Sequence, residues 1–158
     1  INRQRLSAWN RYYEGLCGLA EEGLISFPYV PNECVHNAHM FYIKVKDEAE
    51  RTRLIDFLKQ REVWAVFHYI PLHSTLAGKR FGRFSGEDKY TMKESLRLLR
   101  LPMYYGLKEE EIDYVIRIIY EFWRKKRENV GIYQKRDMVH GRNRGNKNNI
   151  VKFLSEWA

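Results

Sequence analysis

The chain opens on an amphipathic pattern. Its first apolar residues recur at spacings of three and four, which is the period of a helix with one buried face. We therefore predict a helix from Asn2 to Glu22 that ends near Gly23. The apolar positions that define this helix are Leu6, Trp9, Tyr13, Leu16 and Ala20.

Three further helices are predicted along the chain. Asp47, followed three residues later by Glu50, is typical of a capped helix start, and this helix should end near Arg61. A second helix is predicted from Glu87 to Leu98, after a loop with several glycines. The last one follows three consecutive glutamates, which favour the positive end of a helix. Its apolar face consists of Ile112, Val115, Ile116, Ile119, Phe122 and Trp123.

Three segments between these helices are rich in β-branched and aromatic residues. Strands are predicted at Met40 to Lys46, at Val63 to Ile70 before Pro71, and at Leu101 to Tyr104. Helices and strands therefore alternate along the chain. This order predicts an α/β or α+β sandwich in which helices cover a short sheet.

Charge divides the chain into two parts. Of the 158 residues, 28 are basic and 20 acidic, a formal net charge of +8. Residues 124–158 hold ten of the basic residues and three of the acidic ones, so the preceding residues 1–123 are nearly neutral. We predict a folded domain over 1–123 and a basic, flexible extension over 124–158.

The sequence gives little support to a metal or redox site. Cys17 and Cys34 stand far apart in the chain, and the plain interpretation is two reduced thiols in a cytoplasmic protein. The histidine pairs near residues 36–39 and 68–73 lack a carboxylate or thiol that completes a ligand set. Hydrogen-bonded histidines fit better, and no metal is expected.

One short segment gathers side chains suited to binding. From Phe67 to His73 the sequence reads FHYIPLH, where a predicted strand runs into a proline-broken loop. Imidazole and phenol groups donate hydrogen bonds to phosphates and sugar hydroxyls, and a phenol ring also packs on a ligand ring. The chemistry alone leaves two interpretations open, a binding edge or a buried strand end.

Three separated runs resemble one family. They are NAHMFYIK from Asn37, AVFHYIPLH from Ala65 and GEDKYTMKESLRLLRLP from Gly86. Together they resemble the C-terminal part of the nucleotide-sugar aminotransferases that depend on pyridoxal phosphate. The similarity covers Ile1 to about Trp123. It implies the small C-terminal domain of the aspartate-aminotransferase fold (fold type I), with residues 2–22 as the helix that leads out of a large domain.

The resemblance also implies a function. Members transfer an amino group from glutamate to a nucleotide sugar, such as dTDP-4-dehydro-6-deoxy-glucose, in surface polysaccharide synthesis. Their cofactor lysine and phosphate-binding loop match positions upstream of Ile1, so the resemblance implies no catalytic residue and no bound cofactor for this chain alone. The positions that match the substrate side are His68, Tyr69 and His73. His36, Asn37 and His39 match as structural supports.

The implied partners are a large cofactor domain, a second subunit of a homodimer and the nucleotide sugar.

Two other classes of function compete with this interpretation. One is a basic module that binds nucleic acid through residues 124–158, which is disfavoured because stacking needs fixed aromatic platforms. The other is an interaction or regulatory domain that docks on an intact aminotransferase. No apolar run is long enough to predict a membrane span.

Overall fold

The computed structural model describes the backbone of residues 1–140 and the side chains of residues 1–128. Five α-helices, three strands and one 3-10 turn, Leu72–Ser74, occur in this part of the chain. The helices are α1 (Asn2–Glu21), α2 (Glu48–Lys59), α3 (Leu76–Phe81), α4 (Thr91–Arg97) and α5 (Glu109–His140). The strands are β1 (Phe41–Lys44), β2 (Val66–Phe67) and β3 (Leu98–Leu101).

The strands form one antiparallel sheet in the order β1-β3-β2. Side chains alternate across its two faces, as they do in any strand. The face that carries Phe41, Ile43 and Leu99 is buried, with each of these residues fully enclosed. The opposite face carries Tyr42, which pairs with Arg100. The sheet therefore has a core side and an outer side.

Helix α1 closes the core side of the sheet. Its Trp9 and Tyr12 rings lie 5.3 Å and 5.2 Å from the Phe41 ring. The Tyr12 hydroxyl donates to the Pro102 carbonyl at 3.1 Å, and burial raises the pKa of this phenol. The first helix is thus part of the domain core, but its buried face differs from the predicted one. Of the predicted positions only Trp9 and Leu16 are buried, whereas Tyr13 is 42% exposed and its neighbour Tyr12 is enclosed.

Helix α5 lies close to α1 because two glycines leave room for it. A side chain at Gly15 would meet the Ile116 side chain at 2.5 Å, and one at Gly18 would meet the Tyr120 hydroxyl at 2.8 Å. The buried residues of α5 in this contact region are Ile112, Val115, Ile118 and Ile119. Small residues on one helix therefore set the close approach of the other.

The predicted cap of α2 is confirmed. The Asp47 side chain accepts from the backbone N–H of Glu50 at 2.8 Å, and the Glu50 carboxylate in turn accepts from the Lys46 N–H at 3.1 Å. Leu54 and Leu58 are fully buried, whereas Ile55 is only half-buried. The apolar pattern of this helix predicts that Leu54, Ile55 and Leu58 face the core, and two of these three positions are enclosed.

The second strand is shorter than predicted. Val63 still belongs to the turn after α2, since its N–H donates to the Leu58 carbonyl at 3.0 Å. Pro71 has no N–H to donate, and the chain leaves the sheet before it. Only Val66 and Phe67 of the predicted segment pair with β3.

The predicted bounds of the third strand and of the helix before it are wrong. The strand runs over Leu98–Leu101 rather than Leu101 to Tyr104, because Pro102 cannot extend the ladder of hydrogen bonds. Leu98 therefore belongs to the strand, and α4 ends at Arg97. Helix α4 begins at Thr91, four residues after the predicted start at Glu87.

The chain divides into two units, residues 1–120 and residues 121–158. In the second unit α5 continues to His140, and ion pairs join Lys125 to Glu121 at 2.8 Å and Arg124 to Glu128 at 3.9 Å. The boundary at residue 123 and the flexibility of 124–158 stay predictions. Most of that extension lies outside the described residues.

The two cysteines are free and exposed. Within residues 1–140, no helix combines the length and the hydrophobicity that crossing a membrane demands.

Candidate functional site

The segment after β2 is held by local hydrogen bonds. The Pro71 carbonyl accepts from both the backbone N–H and the hydroxyl of Ser74. Thr75 caps α3 by accepting from the Gly78 N–H at 2.9 Å, and the Thr75 hydroxyl donates to the Leu72 carbonyl at 2.8 Å. These bonds give the loop a defined shape although it carries no buried residue over 72–81.

Gly78 lets the 3-10 turn and α3 pack against each other. A side chain at this position would overlap the carbonyl group of Leu72 and approach the His73 Cα at 3.1 Å. Only a residue without a Cβ fits there. The loop that holds His73 therefore depends on this glycine.

His68 and Tyr69 lie together at the end of β2. Their ring centroids are 4.6 Å apart. The Arg100 guanidinium, from the neighbouring strand β3, lies over the Tyr69 ring at 5.8 Å from its centroid. Tyr69 itself is 71% exposed, so its ring remains accessible.

His68 has an unusual environment for a histidine at a sheet end. Desolvation lowers its pKa below the ordinary value, and the positive charge of Arg100 lowers it further. Its Nδ1 atom is buried and has no hydrogen-bond partner among the described residues. Both effects favour the neutral imidazole, and one of its nitrogens has no partner among the described residues.

His73 belongs to a second cluster. Its Nε2 atom lies 2.7 Å from the Asp88 carboxylate, and its ring centroid lies 4.4 Å from that of Phe84. Asp88 also accepts from the backbone N–H groups of Thr91 and Met92, at the start of α4. One carboxylate thus fixes both a loop histidine and a helix terminus.

We expect Asp88→Ala to loosen both elements. Desolvation opposes ionisation of this carboxyl, but the His73 bond and the two backbone donors lower its pKa overall. The carboxylate therefore stabilises the fold at pH values above 3.8, the ordinary pKa of this group. This stabilisation is lost as the pH falls below that value. The variant should lower the thermal unfolding midpoint by a few degrees at pH 7.

Calorimetry of the full chain at pH 7 and at acid pH tests this expectation. Glu87→Ala is the matched control, since Glu87 is exposed and its only described partner is Lys89 at 3.7 Å. A midpoint equal to that of the control at pH 7 would contradict the dual role of Asp88.

Many aromatic and aliphatic side chains near the two clusters in the chain are exposed. Soluble domains seldom leave so many large apolar groups in water without a covering partner. Leu76 is 90% exposed and Phe81 79%. The other exposed large apolar residues between positions 64 and 90 are Trp64, Val66, Phe67, Ile70, Leu72, Phe84 and Tyr90.

The described lysines do not fit covalent attachment of pyridoxal phosphate. Such a lysine lies in an enclosed site in which an acidic residue pairs with the pyridine nitrogen on the far side of the ring. Every lysine in residues 1–128 is exposed or half-exposed. The least exposed one with a described ion pair, Lys44, has its amine bound to Glu94 at 2.8 Å. None of these lysines is therefore placed to hold the cofactor or to act in its chemistry.

The three predicted site residues do not form one cluster through described contacts. His68 and Tyr69 share one cluster, and His73 has its own. Sequence reasoning missed Arg100 and Asp88, although both lie in the GEDKYTMKESLRLLRLP run that carries the resemblance. No periodicity could identify them, because their partners lie 15 or more residues away in the chain.

The remaining histidines have contacts of their own, and their role as structural supports stays a prediction. The His36 ring packs edge-on against Trp9 at 4.7 Å, and His39 Nδ1 lies 3.2 Å from the Asn37 side-chain oxygen. Within the described part of the chain, no group of three or more potential ligands could hold a metal ion.

The chain is similar to part of several known proteins. The pleiotropic regulatory protein of Geobacillus stearothermophilus is 31% identical over 107 residues, which are 67% of this chain and 29% of that protein. A DegT/DnrJ/EryC1/StrS aminotransferase from Brucella abortus is 27% identical with a TM-score of 0.60, over 75% of this chain and 30% of that one.

Another solved structure has the same fold. DesV of S. venezuelae, determined in complex with a ketimine intermediate, is 24% identical with a TM-score of 0.64, over 77% of this chain and 31% of that one. The chain thus spans less than a third of the length of each of these relatives. The predicted fold, the small helix-covered sheet of an aminotransferase, is confirmed.

The family assignment depends on a match over most of the chain. Residues 1–120, which include α1, the whole sheet and both histidine clusters, match the DegT/DnrJ/EryC1/StrS aminotransferase family. This chain therefore belongs to that family of aminotransferases.

Proposed function

We propose that this chain is the closing C-terminal domain of a nucleotide-sugar aminotransferase and that its loop after β2 faces the sugar nucleotide. The observation that carries this proposal is the exposure of large apolar side chains near His68 and His73 in the chain. In addition, the chain matches less than a third of the length of each of these relatives. Burying that surface requires a second body. The large cofactor domain of the same enzyme, and a second subunit, are the partners we propose.

The loop offers binding groups rather than acid–base groups. The exposed ring of Tyr69 can pack on a ligand ring and its hydroxyl can donate a hydrogen bond. His73 is oriented by Asp88, so its ring presents a fixed edge. In the complete enzyme pyridoxal phosphate would supply the electron sink for amino transfer. Residues His68, Tyr69 and His73 would orient the substrate for that chemistry.

For the substrate we propose dTDP-4-dehydro-6-deoxy-glucose, with glutamate as the amino donor. The support is the resemblance of the FHYIPLH and GEDKYTMKESLRLLRLP runs to dTDP-4-amino-4,6-dideoxygalactose transaminase. That enzyme acts in the synthesis of enterobacterial common antigen. The same pathway is our proposal for this chain, in the cytoplasm.

The experiment begins with the gene. We would read the frame upstream of the Ile1 codon, express it joined to this chain, and measure amino transfer from glutamate to the nucleotide sugar with added pyridoxal phosphate. Turnover by the joined protein is expected. In it, Tyr69→Ala should raise KM for the nucleotide sugar about tenfold, the loss expected for one ring contact and one hydrogen bond.

Tyr29→Ala is the matched control, because Tyr29 is 85% exposed and lies outside the loop. Its KM should stay unchanged. An upstream frame without a cofactor-binding half, or a joined protein that transfers no amino group, would contradict the proposal. Equal effects of the two tyrosine variants would contradict the role of the loop.

A regulatory role is the second candidate. It is favoured by the name of the Geobacillus relative, a pleiotropic regulatory protein, and by the same exposed surface. In that case the chain would bind an intact aminotransferase without completing its site. Co-purification with an intact homologue, without any change in its turnover, would distinguish this candidate from the first one.

A further inference from the structure

The longest run of basic residues in the sequence lies on α5. Every residue from 124 to 128 is exposed, and the first four of these are Arg124, Lys125, Lys126 and Arg127. Successive residues of an α-helix are turned by about 100° around its axis. Four cations in a row therefore point to all sides of the helix rather than to one face.

Nearby acids offset only part of this charge. The Lys125 amine lies 2.8 Å from the Glu121 carboxylate, and the Arg124 guanidinium lies 3.9 Å from that of Glu128. Ion pairs of this kind on a helix surface are weak and are screened by salt. Two acids accompany four cations on these two turns, a net charge of +2, and residues 129–158 add six basic and two acidic residues. The helix therefore attracts an anionic partner.

The distribution of the cations favours a groove over a flat surface. A bilayer contacts one side of a helix, and helices that bind it bury an apolar face there. Residues 124–127 include no apolar residue to bury. The major groove of B-form DNA is about 12 Å wide and admits an α-helix, so phosphates lie on both sides of the inserted helix. Cations on all sides of a helix fit this geometry.

Other nucleic acids fit less well. Proteins bind single strands largely by stacking the bases on aromatic side chains, and residues 124–128 include no aromatic residue. A-form RNA has a narrow major groove that side chains cannot read. Double-stranded DNA keeps its bases stacked within the duplex, so the lack of aromatic platforms on this stretch is no obstacle to binding it.

We propose that residues 124–127 of α5 bind the phosphates of double-stranded DNA from within the major groove, without sequence preference. Each cation that contacts a phosphate releases a counterion, which drives this kind of binding. The inference concerns the unit of residues 121–158 and goes beyond the proposed function of the aminotransferase domain. It adds a second binding activity to the chain.

The test is fluorescence anisotropy of a labelled duplex of random sequence, titrated with the full chain at several salt concentrations. We expect a Kd of about 10⁻⁶ to 10⁻⁴ M near physiological salt, the range of non-specific binding. Three or four phosphate contacts predict a slope of log K against log salt of about −3. The affinity should therefore fall roughly sixtyfold between about 50 and 200 mM salt.

A set of quadruple variants completes the design. Replacing residues 124–127 by glutamine preserves a good helix former and should weaken binding at least about tenfold and flatten the salt slope. The matched control removes four exposed positive charges elsewhere and should bind within about threefold of the unaltered chain. Its substitutions are Arg3→Gln, Lys46→Gln, Arg53→Gln and Lys59→Gln. Arg124→Lys with Arg127→Lys keeps every charge and should retain binding.

Anionic vesicles of phosphatidylglycerol and phosphatidylcholine, and a single strand of the same length, serve as competing probes. Preference for the duplex over both, lost only in the glutamine variant of residues 124–127, supports the proposal. Tighter binding to the vesicles, equal affinity for the single strand, or equal losses in the two glutamine variants would overturn it. None of these measurements depends on amino transfer, so the activity of the joined protein is judged independently.

Discussion

Replacing Phe41 with alanine is expected to lower the free energy of unfolding of the residues 1–120 unit by about 3–5 kcal/mol. Phe41 is fully buried, and three aromatic rings surround it. The distances between ring centroids are 5.3 Å to Trp9, 5.2 Å to Tyr12 and 6.0 Å to Phe27. Truncation removes the contact that joins the sheet to α1.

Urea unfolding of the full chain, followed by circular dichroism, measures this loss. Phe81→Ala is the matched control, because it makes the same chemical change at a side chain that is 79% exposed. The control should change the free energy of unfolding by less than about 0.5 kcal/mol. Similar losses for both variants would show that the aromatic cluster is not the core described above.

The second large effect is expected for Gly78→Ala. The new methyl group would overlap the Leu72 carbonyl, so the 3-10 turn and α3 must move apart. Overpacking of this kind costs about 1–3 kcal/mol. Because the His73 backbone is also in contact, the bond from His73 to Asp88 should be lost as the turn opens.

NMR of the His73 ring and the Thr91 amide would follow that opening. Gly86→Ala serves as the comparison, since Gly86 has a φ of +78° but no atom within 4 Å of an added Cβ. It should cost about 1–2 kcal/mol of backbone strain and leave the His73 signals in place. Unchanged His73 signals in Gly78→Ala would contradict the packing role of this glycine.

Helices with a strong apolar period could be predicted from the sequence, and strand ends could not. The pattern of α1 and the cap of α2 are local properties, so residues near each other in the chain define them. The extent of β2 depends on β3, which pairs with only Val66 and Phe67. Pairing between distant segments leaves no local signal that marks where a strand stops.

The candidate site was predictable only in part, for the same reason. His68, Tyr69 and His73 stand together in one run of seven residues, so their chemistry could be seen directly. Arg100 reaches the site through the register of the sheet, and Asp88 through the turn before α4. The fold brings both residues to the loop from another segment of the chain. That segment is one of the runs that resemble the family, but the resemblance did not indicate the role of these two residues.

The arrangement of the sheet edges has a consequence for self-association. Free strand edges invite pairing with another copy of a chain, which leads to aggregation. Here the outer edge of β1 is occupied by Ser26, whose backbone exchanges two hydrogen bonds of 2.9 Å with Lys44. The other edge, β2, is two residues long and is followed by Pro71. In the part of the chain that the structure describes, each border of the sheet therefore leaves only a short stretch of backbone free for a fourth strand.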